Sequence, residues 1–191
     1  MLVALAFVAG CLAWTFLEYV IHRWLGHDKR LTRKTPFGHE HTAHHSRGDY
    51  FSPTVKKLGA AAVALVIVAP PAIFLAGLAH GAAFALGLVG FYGVYEVTHR
   101  RLHIHEGRGA YARWARRHHF HHHFHEPARN HGVTSPLWDV VFGTLARPGT
   151  IVVPERLAMR WLRDAATGAI RSDLPPGWTV RTAAGRAGQP S

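Results

Sequence analysis

From Leu58 to Tyr95 the chain contains no Asp, Glu, Lys or Arg. About 20 apolar residues cross the hydrocarbon core of a bilayer as a helix, so this run is long enough for a hairpin of two membrane helices. Its flanks are the opposite in character. Asp28 to Lys57 carries Lys29, Arg30, Arg33, Lys34, Arg47, Lys56 and Lys57, and Arg100 to Arg129 is basic again. A formal charge of +11 and 48% apolar residues are therefore kept in separate regions, the pattern of membrane helices with polar lobes on one side. The predicted architecture is all-α: integral membrane helices, about three spans, capped by a histidine-rich helical lobe.

Met1 to Leu25 supplies the first span, with only Glu18, His22 and Arg23 interrupting its apolar character. A secreted leader would need a basic start and a small-residue cleavage site, and neither is present. In the long run the turn falls either at Pro70-Pro71 or near His80-Gly81. A helix ending at Pro70 would be short, so the reading places the turn near His80 and makes the proline pair a kink. His80 is then an outer-surface residue, and three spans put the other histidines and the basic loops on the cytoplasmic face.

Cys11 is the only cysteine, which excludes a disulfide framework or a thiolate cluster within one chain. The basic residues flank apolar spans and form no stripe with interleaved aromatics. Anionic lipid headgroups suit them better than nucleic acid. Residues 1–150 are read as one membrane-embedded domain. Residues 151–171, amphipathic from Pro154 to Ile170 through Leu157, Trp161, Leu162 and Ala165, are read as a surface helix, lying on the membrane or packed as a soluble helix. Residues 172–191 are read as a flexible tail.

The histidines fall in four clusters. His41, His44 and His45 stand at i, i+3 and i+4, within about 100° of one helix face. His99 and His103 also share a face. His22 and His27 lie five apart, about 140° on an uninterrupted α-helix; if Gly26 ends the helix, His27 can turn back to the site. In RHHFHHHFHEPARNH, from Arg117 to His131, spacing allows either His119, His122 and His123 or His118, His121 and His122. A lone histidine is ordinarily a surface or satisfied core residue, but four helically spaced clusters on one side of a membrane point to metal. About ten imidazoles exceed one coordination sphere and imply two ions. Imidazole alone suits iron, zinc, copper or nickel, and the hydrolytic HExxH pattern is missing. Glu18 and Glu96 share faces with His22 and His99, where a carboxylate either fixes an imidazole N–H or pairs with an Arg at the interface.

The stretches EYVIHRWLGH (18–27), HTAHH (41–45), YEVTHRRLH (95–103) and HHFHHHF (118–124), followed by GVTSPLWDVVFGT (132–144), resemble the membrane-bound fatty acid hydroxylase / sterol desaturase superfamily. Its last box, counted back from Trp138 and Gly132, implies the ligands His119, His122 and His123. The full set implied is His22, His27, His41, His44, His45, His99, His103, His119, His122 and His123, with His118 as a further ligand or a group behind the ligands. His39, His105, His121, His125 and His131 receive no role, and His131 stands where an aromatic residue is common. The resemblance implies a di-iron oxygenase that hydroxylates a C–H bond of a fatty-acyl or sterol-like lipid with O2 and two electrons; zinc can replace iron in purified protein. The family's expected four spans exceed this chain's three. No HPGG-type haem-binding domain is fused, so a separate ferredoxin- or cytochrome-like donor is expected. Desaturation or carotenoid hydroxylation are the alternatives within the superfamily. A non-catalytic membrane metal-binding or transport protein is the alternative from another class.

Overall fold

The computed structural model describes residues 1–182. Helix α1 (Leu2–Val20) runs directly into a single π-helical turn (Ile21–Gly26). Helix α2 (Pro36–Arg47) starts where its sequence says it should. Thr35 is the N-cap, its hydroxyl accepts from the Gly38 N–H at 3.1 Å, and Pro36 occupies the first turn, where a missing N–H costs nothing.

Helix α3 (Thr54–Ile104) folds back on itself. Gly77 alone within it has non-helical angles, φ 77° and ψ 163°, a region that a residue with a Cβ rarely enters. The two arms, 54–76 and 78–104, are antiparallel: Tyr92 Oη donates to the Lys57 carbonyl, and Lys57 pairs with Glu96. The turn therefore lies three residues before the expected His80, and Pro70 and Pro71 keep helical angles. Trp14 of α1 packs on Tyr92 and Tyr95 of the second arm, with ring centroids 4.7 and 5.8 Å apart.

Outward faces of these helices are apolar: Phe7, Val8 and Leu12 on α1, and Val66, Ile67, Phe74 and Leu75 on α3, are exposed. Such a surface is costly in water and suited to lipid. Among the described residues two helices are long and apolar enough to cross a membrane, Leu2–Gly26 and Thr54–Ile104, where about three were expected; the second is the hairpin.

Helix α4 (Gly109–Phe124) carries the fourth histidine cluster, and α5 (Leu137–Val141) comes after it. The all-α expectation is corrected by the C-terminal part. Strand β1 (Ile151–Pro154) pairs in parallel with β2 (Trp178–Arg181), Ile151 opposite Trp178. The expected helix over 151–171 does not form: the β-branched run Ile151-Val152-Val153 favours a strand, and Pro154 breaks any helix that would extend through it. Two 3-10 turns, Glu155–Leu157 and Arg160–Leu162, take its place. Trp161 and Leu162 are buried with Phe120, Ile151, Val153, Met159 and Trp178, so their apolar surface meets a protein core instead of lipid. The expected loose tail includes strand β2; residues 183–191 lie outside the described residues.

Candidate metal centre

Ten imidazoles converge between α1, α2, α3 and α4 in two groups of five. His22, His27, His41, His45 and His122 form one, and His44, His99, His103, His119 and His123 the other; in each, one ring nitrogen per residue lies within 4.8 Å of all the others. These are the ten ring systems implied by the resemblance, and the structure brings all of them together. Helices α2 and α4 contribute to both groups. His45 and His123, from different groups, stack with centroids 4.0 Å apart.

The π-helical turn explains how His22 and His27 meet. A wider turn brings residues five apart closer to the same face than an α-helix does. The helix ends at Gly26, as expected, and His27 follows as its C-cap with the non-helical φ of −126°. Gly26 has another role: a Cβ there would come within 2.9 Å of the His41 ring.

Backbone carbonyls set the ring orientations. Nδ1 of His22 donates to the His131 carbonyl (2.5 Å), His44 to Tyr50 (2.7 Å), His103 to Gly48 (2.9 Å) and His122 to Arg129 (2.8 Å). A proton on Nδ1 leaves Nε2 as a lone pair. Nε2 of His22, His44, His45, His99, His122 and His123 is buried with no hydrogen-bond partner. Six buried ring nitrogens left without a partner would be costly, and a pair of cations accounts for them. The residues fit two metal ions. In addition, Nε2 of His41 and His27 lie 2.8 Å apart, and those of His103 and His119 2.9 Å.

Electrostatics keep the rings ready as ligands. Burial, and then the neighbouring imidazoles, hold His41, His45, His119, His122 and His123 well below the ordinary 6.5. Burial pushes His27, His44 and His131 down to about 4. A metal competes with protons for imidazole, so neutral rings at pH 7 favour it. In metal-stripped protein the same depression makes the fold sensitive to acid. Between pH 6.5 and about 4 the unfolded chain takes up protons that the folded one refuses. Its thermal midpoint is expected to be steady above pH 6.5 and to fall as pH drops through that window, measured by thermal unfolding of chelator-treated protein.

Neither carboxylate hydrogen-bonds a histidine. Glu18, buried, accepts from the Val133 and Thr134 N–H groups and from the Thr134 hydroxyl, and so clamps Val133 and Thr134 onto α1. Glu96 pairs with Lys57, a cationic partner, though Lys and not the Arg considered from sequence. His118 belongs to neither group; its Nε2 lies 3.3 Å from Asp139 Oδ2. Of the unassigned histidines, His131 is 1% exposed and its carbonyl holds His22, whereas His121 meets Glu126, His125 accepts from the Val152 N–H and His39 is exposed. Sequence reasoning missed Asp139 as a hub. It accepts from the His131 and Gly132 N–H groups, both at 2.9 Å, and from the Thr144 hydroxyl at 2.7 Å. The Trp138-Asp139 pair in the motif was its only signal.

Beside both groups opens a cavity of about 420 Å³. Its lining includes His22, His41, His44 and His99 as well as the apolar Ala60, Ala64, Val68, Leu88 and Val89. Glu40, Tyr50 and Lys56 also border it, with Lys56 and the Tyr50 hydroxyl both on the Glu40 carboxylate.

A sequence model of the fatty acid hydroxylase family matches residues 7–144. The chain is 34% identical over 143 residues to the dihydroceramide fatty acyl 2-hydroxylase FAH2 of Arabidopsis thaliana, which covers 71% of this chain and 58% of that one. It is 34% identical over 148 residues to the fatty acid 2-hydroxylase of Mus musculus, covering 73% of this chain and 39% of that one. A solved structure of full-length scs7p, in which only the hydroxylase domain is visible, superposes with a TM-score of 0.60 at 28% identity, over 76% of this chain and 57% of that chain. The chain thus spans roughly half the length of the proteins it matches.

Proposed function

The chain belongs to the fatty acid hydroxylase family, and from that premise we propose that it is a membrane-bound oxygenase that hydroxylates a fatty-acyl lipid with O2 and two electrons. The observation that carries this is a cavity lined both by histidines and by apolar side chains, beside two five-imidazole groups with orphaned Nε2 atoms. The balance is R–H + O2 + 2e⁻ + 2H⁺ → R–OH + H2O. The ten histidines hold two iron ions, which supply the oxidising power to attack an unactivated C–H bond; zinc is a stand-in that purified protein can carry. The relatives' names as 2-hydroxylases point to the carbon next to the acyl carbonyl.

This chain's own residues do the positioning. Ala60, Ala64 and Val68, with Leu88 and Val89 opposite, leave a slot suited to an alkyl chain. The lipid's polar end then meets the Glu40, Tyr50 and Lys56 group. Such fixing of one carbon beside the centre is the protein's main contribution to rate. Apolar walls exclude water and so limit side reactions. The arms of α3 and helix α1 cross the bilayer as three spans, with the histidine lobe on the cytoplasmic side beside the basic loops. The two electrons come from a separate ferredoxin- or cytochrome-like donor. A metal transporter would need polar groups along its membrane path, and the apolar lining of this slot speaks against one.

Lipid profiles of expressing and non-expressing cells test the reading. A 2-hydroxylated acyl lipid should appear only with expression, together with iron or zinc in purified protein. An unchanged profile with no bound metal would sink it.

A further inference from the structure

A second cavity, of about 800 Å³, lies at the N-terminal end of α4, against the C-terminal lobe, and the proposed reaction makes no use of it. Its border is strongly basic. Arg108, Arg113, Arg116 and Arg117 line it against one acid, Glu106, which is already paired with Arg171 at 2.9 Å. Arg108 and Arg113 are exposed and make no ion pair among the described residues. The start of α4 has no side-chain cap and no acid in its first turn, so the helix end adds to the positive potential. Arg116 donates to backbone carbonyls through Nε, Nη1 and Nη2, and Arg117 Nη2 donates to two more, while Arg117 Nε is buried without a partner among the described residues.

Aromatic rings form the inner wall, and they lead somewhere. Trp161 and Trp178 pack with centroids 4.9 Å apart, Trp178 packs on Phe120 at 5.6 Å, and Phe120 packs on His103 at 4.8 Å. His103 belongs to the second imidazole group. A packed path of rings therefore joins the basic cavity to the centre, a connection that a lipid headgroup site would not need.

We propose that this cavity is the docking surface of a small acidic one-electron carrier protein, and that Trp178 and Phe120 form its electron path to His103. The proposal rests on the oxygenase reading above. The carrier is oxidised by one electron at each of two encounters, which together supply the two electrons of one turnover. Charge complementarity argues for the occupant: acidic side chains on the carrier meet Arg108 and Arg113, unpaired among the described residues, while Trp161 and Trp178, each 8% exposed, stay in the cavity wall behind them. Such contacts are small and transient, and their encounter rate is governed by charge and weakened by salt.

The test uses the full metal-loaded chain in lipid nanodiscs with three reductants: an acidic [2Fe–2S] ferredoxin, an acidic b5-type cytochrome domain, each with its reductase, and reduced methyl viologen. The double variant Arg108→Glu, Arg113→Glu should raise the Kd for the productive carrier by about tenfold or more at low ionic strength and flatten its salt dependence. It should raise the KM for that carrier alike and leave the viologen-driven rate unchanged. Trp178→Leu should lower the carrier-driven kcat with little change in Kd, and Trp178→Phe should restore part of it. Unchanged Kd and KM in the double variant would overturn the proposal. So would turnover with viologen but with neither carrier, or loss of binding to phosphatidylserine vesicles in place of loss of carrier binding. No hydroxylated lipid with viologen in the unaltered protein would instead reject the oxygenase reading, and the binding titration would still decide the docking.

Discussion

His122→Ala should reduce bound metal from two ions per chain to about one and lower hydroxylation by 10²-fold or more, on the order expected when a ligand itself, and not only a group behind it, is lost. His122 is 0% exposed. The Arg129 carbonyl fixes its Nδ1, and its ring lies 4.4 Å from that of His22, 4.5 Å from His27 and 5.0 Å from His45. Alanine removes the only member of the first group that comes from α4, so an ion there would lose the element that closes the site. The second group keeps all five of its rings, and metal retained there shows that the variant has folded. His121→Ala is the matched control. Its Nε2 meets Glu126 at 3.3 Å near the surface, and it stacks on His125. Metal content and product formation should stay within about twofold, as for surface substitutions generally. Metal analysis alongside product measurement reads both variants. Loss on removing His121 and not His122 would shift the ligand register by one residue.

Much of this centre was legible because metal-binding helices must repeat histidine at three or four residues. Periodicity identifies a face, however, and not what lies on each side of it. His41 and His45 turn to one group and His44 to the other because α2 lies between them, and no spacing rule contains that. The five-residue interval from His22 to His27 works only because the chain leaves the 100° step of an α-helix there, adopting a π-helical turn that ends at Gly26. Glu18 shares a face with His22, yet its partners are backbone groups at Val133 and Thr134, far along the chain. In the C-terminal part the apolar residues Leu157, Trp161 and Leu162 suggested a helix. Strand pairing between Ile151 and Trp178 decided otherwise, and a non-local contact of that kind leaves little trace in a local pattern.

Asp139→Ala should cost about 3–5 kcal/mol, the range for breaking a buried charged network, and should weaken metal binding by about 10- to 100-fold. Asp139 is 0% exposed and satisfies the N–H groups of His131 and Gly132 and the hydroxyl of Thr144. Without it these three donors are buried with no acceptor, each costing about 1–3 kcal/mol before relaxation. The damage reaches the metal through the backbone. The peptide that donates to Asp139 belongs to His131, whose carbonyl orients His22. Asp139→Asn tests the charge separately, because an amide N–H₂ must then face one of these donors. Burial pushes the Asp139 carboxyl up, but hydrogen bonds from His118, Gly132, Thr144 and His131 outweigh it and leave it below its ordinary 3.8. A depressed carboxyl stabilises the fold fully above its unfolded value and loses that contribution only as pH falls through the lower folded value. From pH 5 to 8 the loss in Asp139→Asn should therefore be constant. Thermal unfolding and metal titration across that range measure it. Unaltered stability together with unaltered metal affinity in both variants would remove Asp139 from the support of the site.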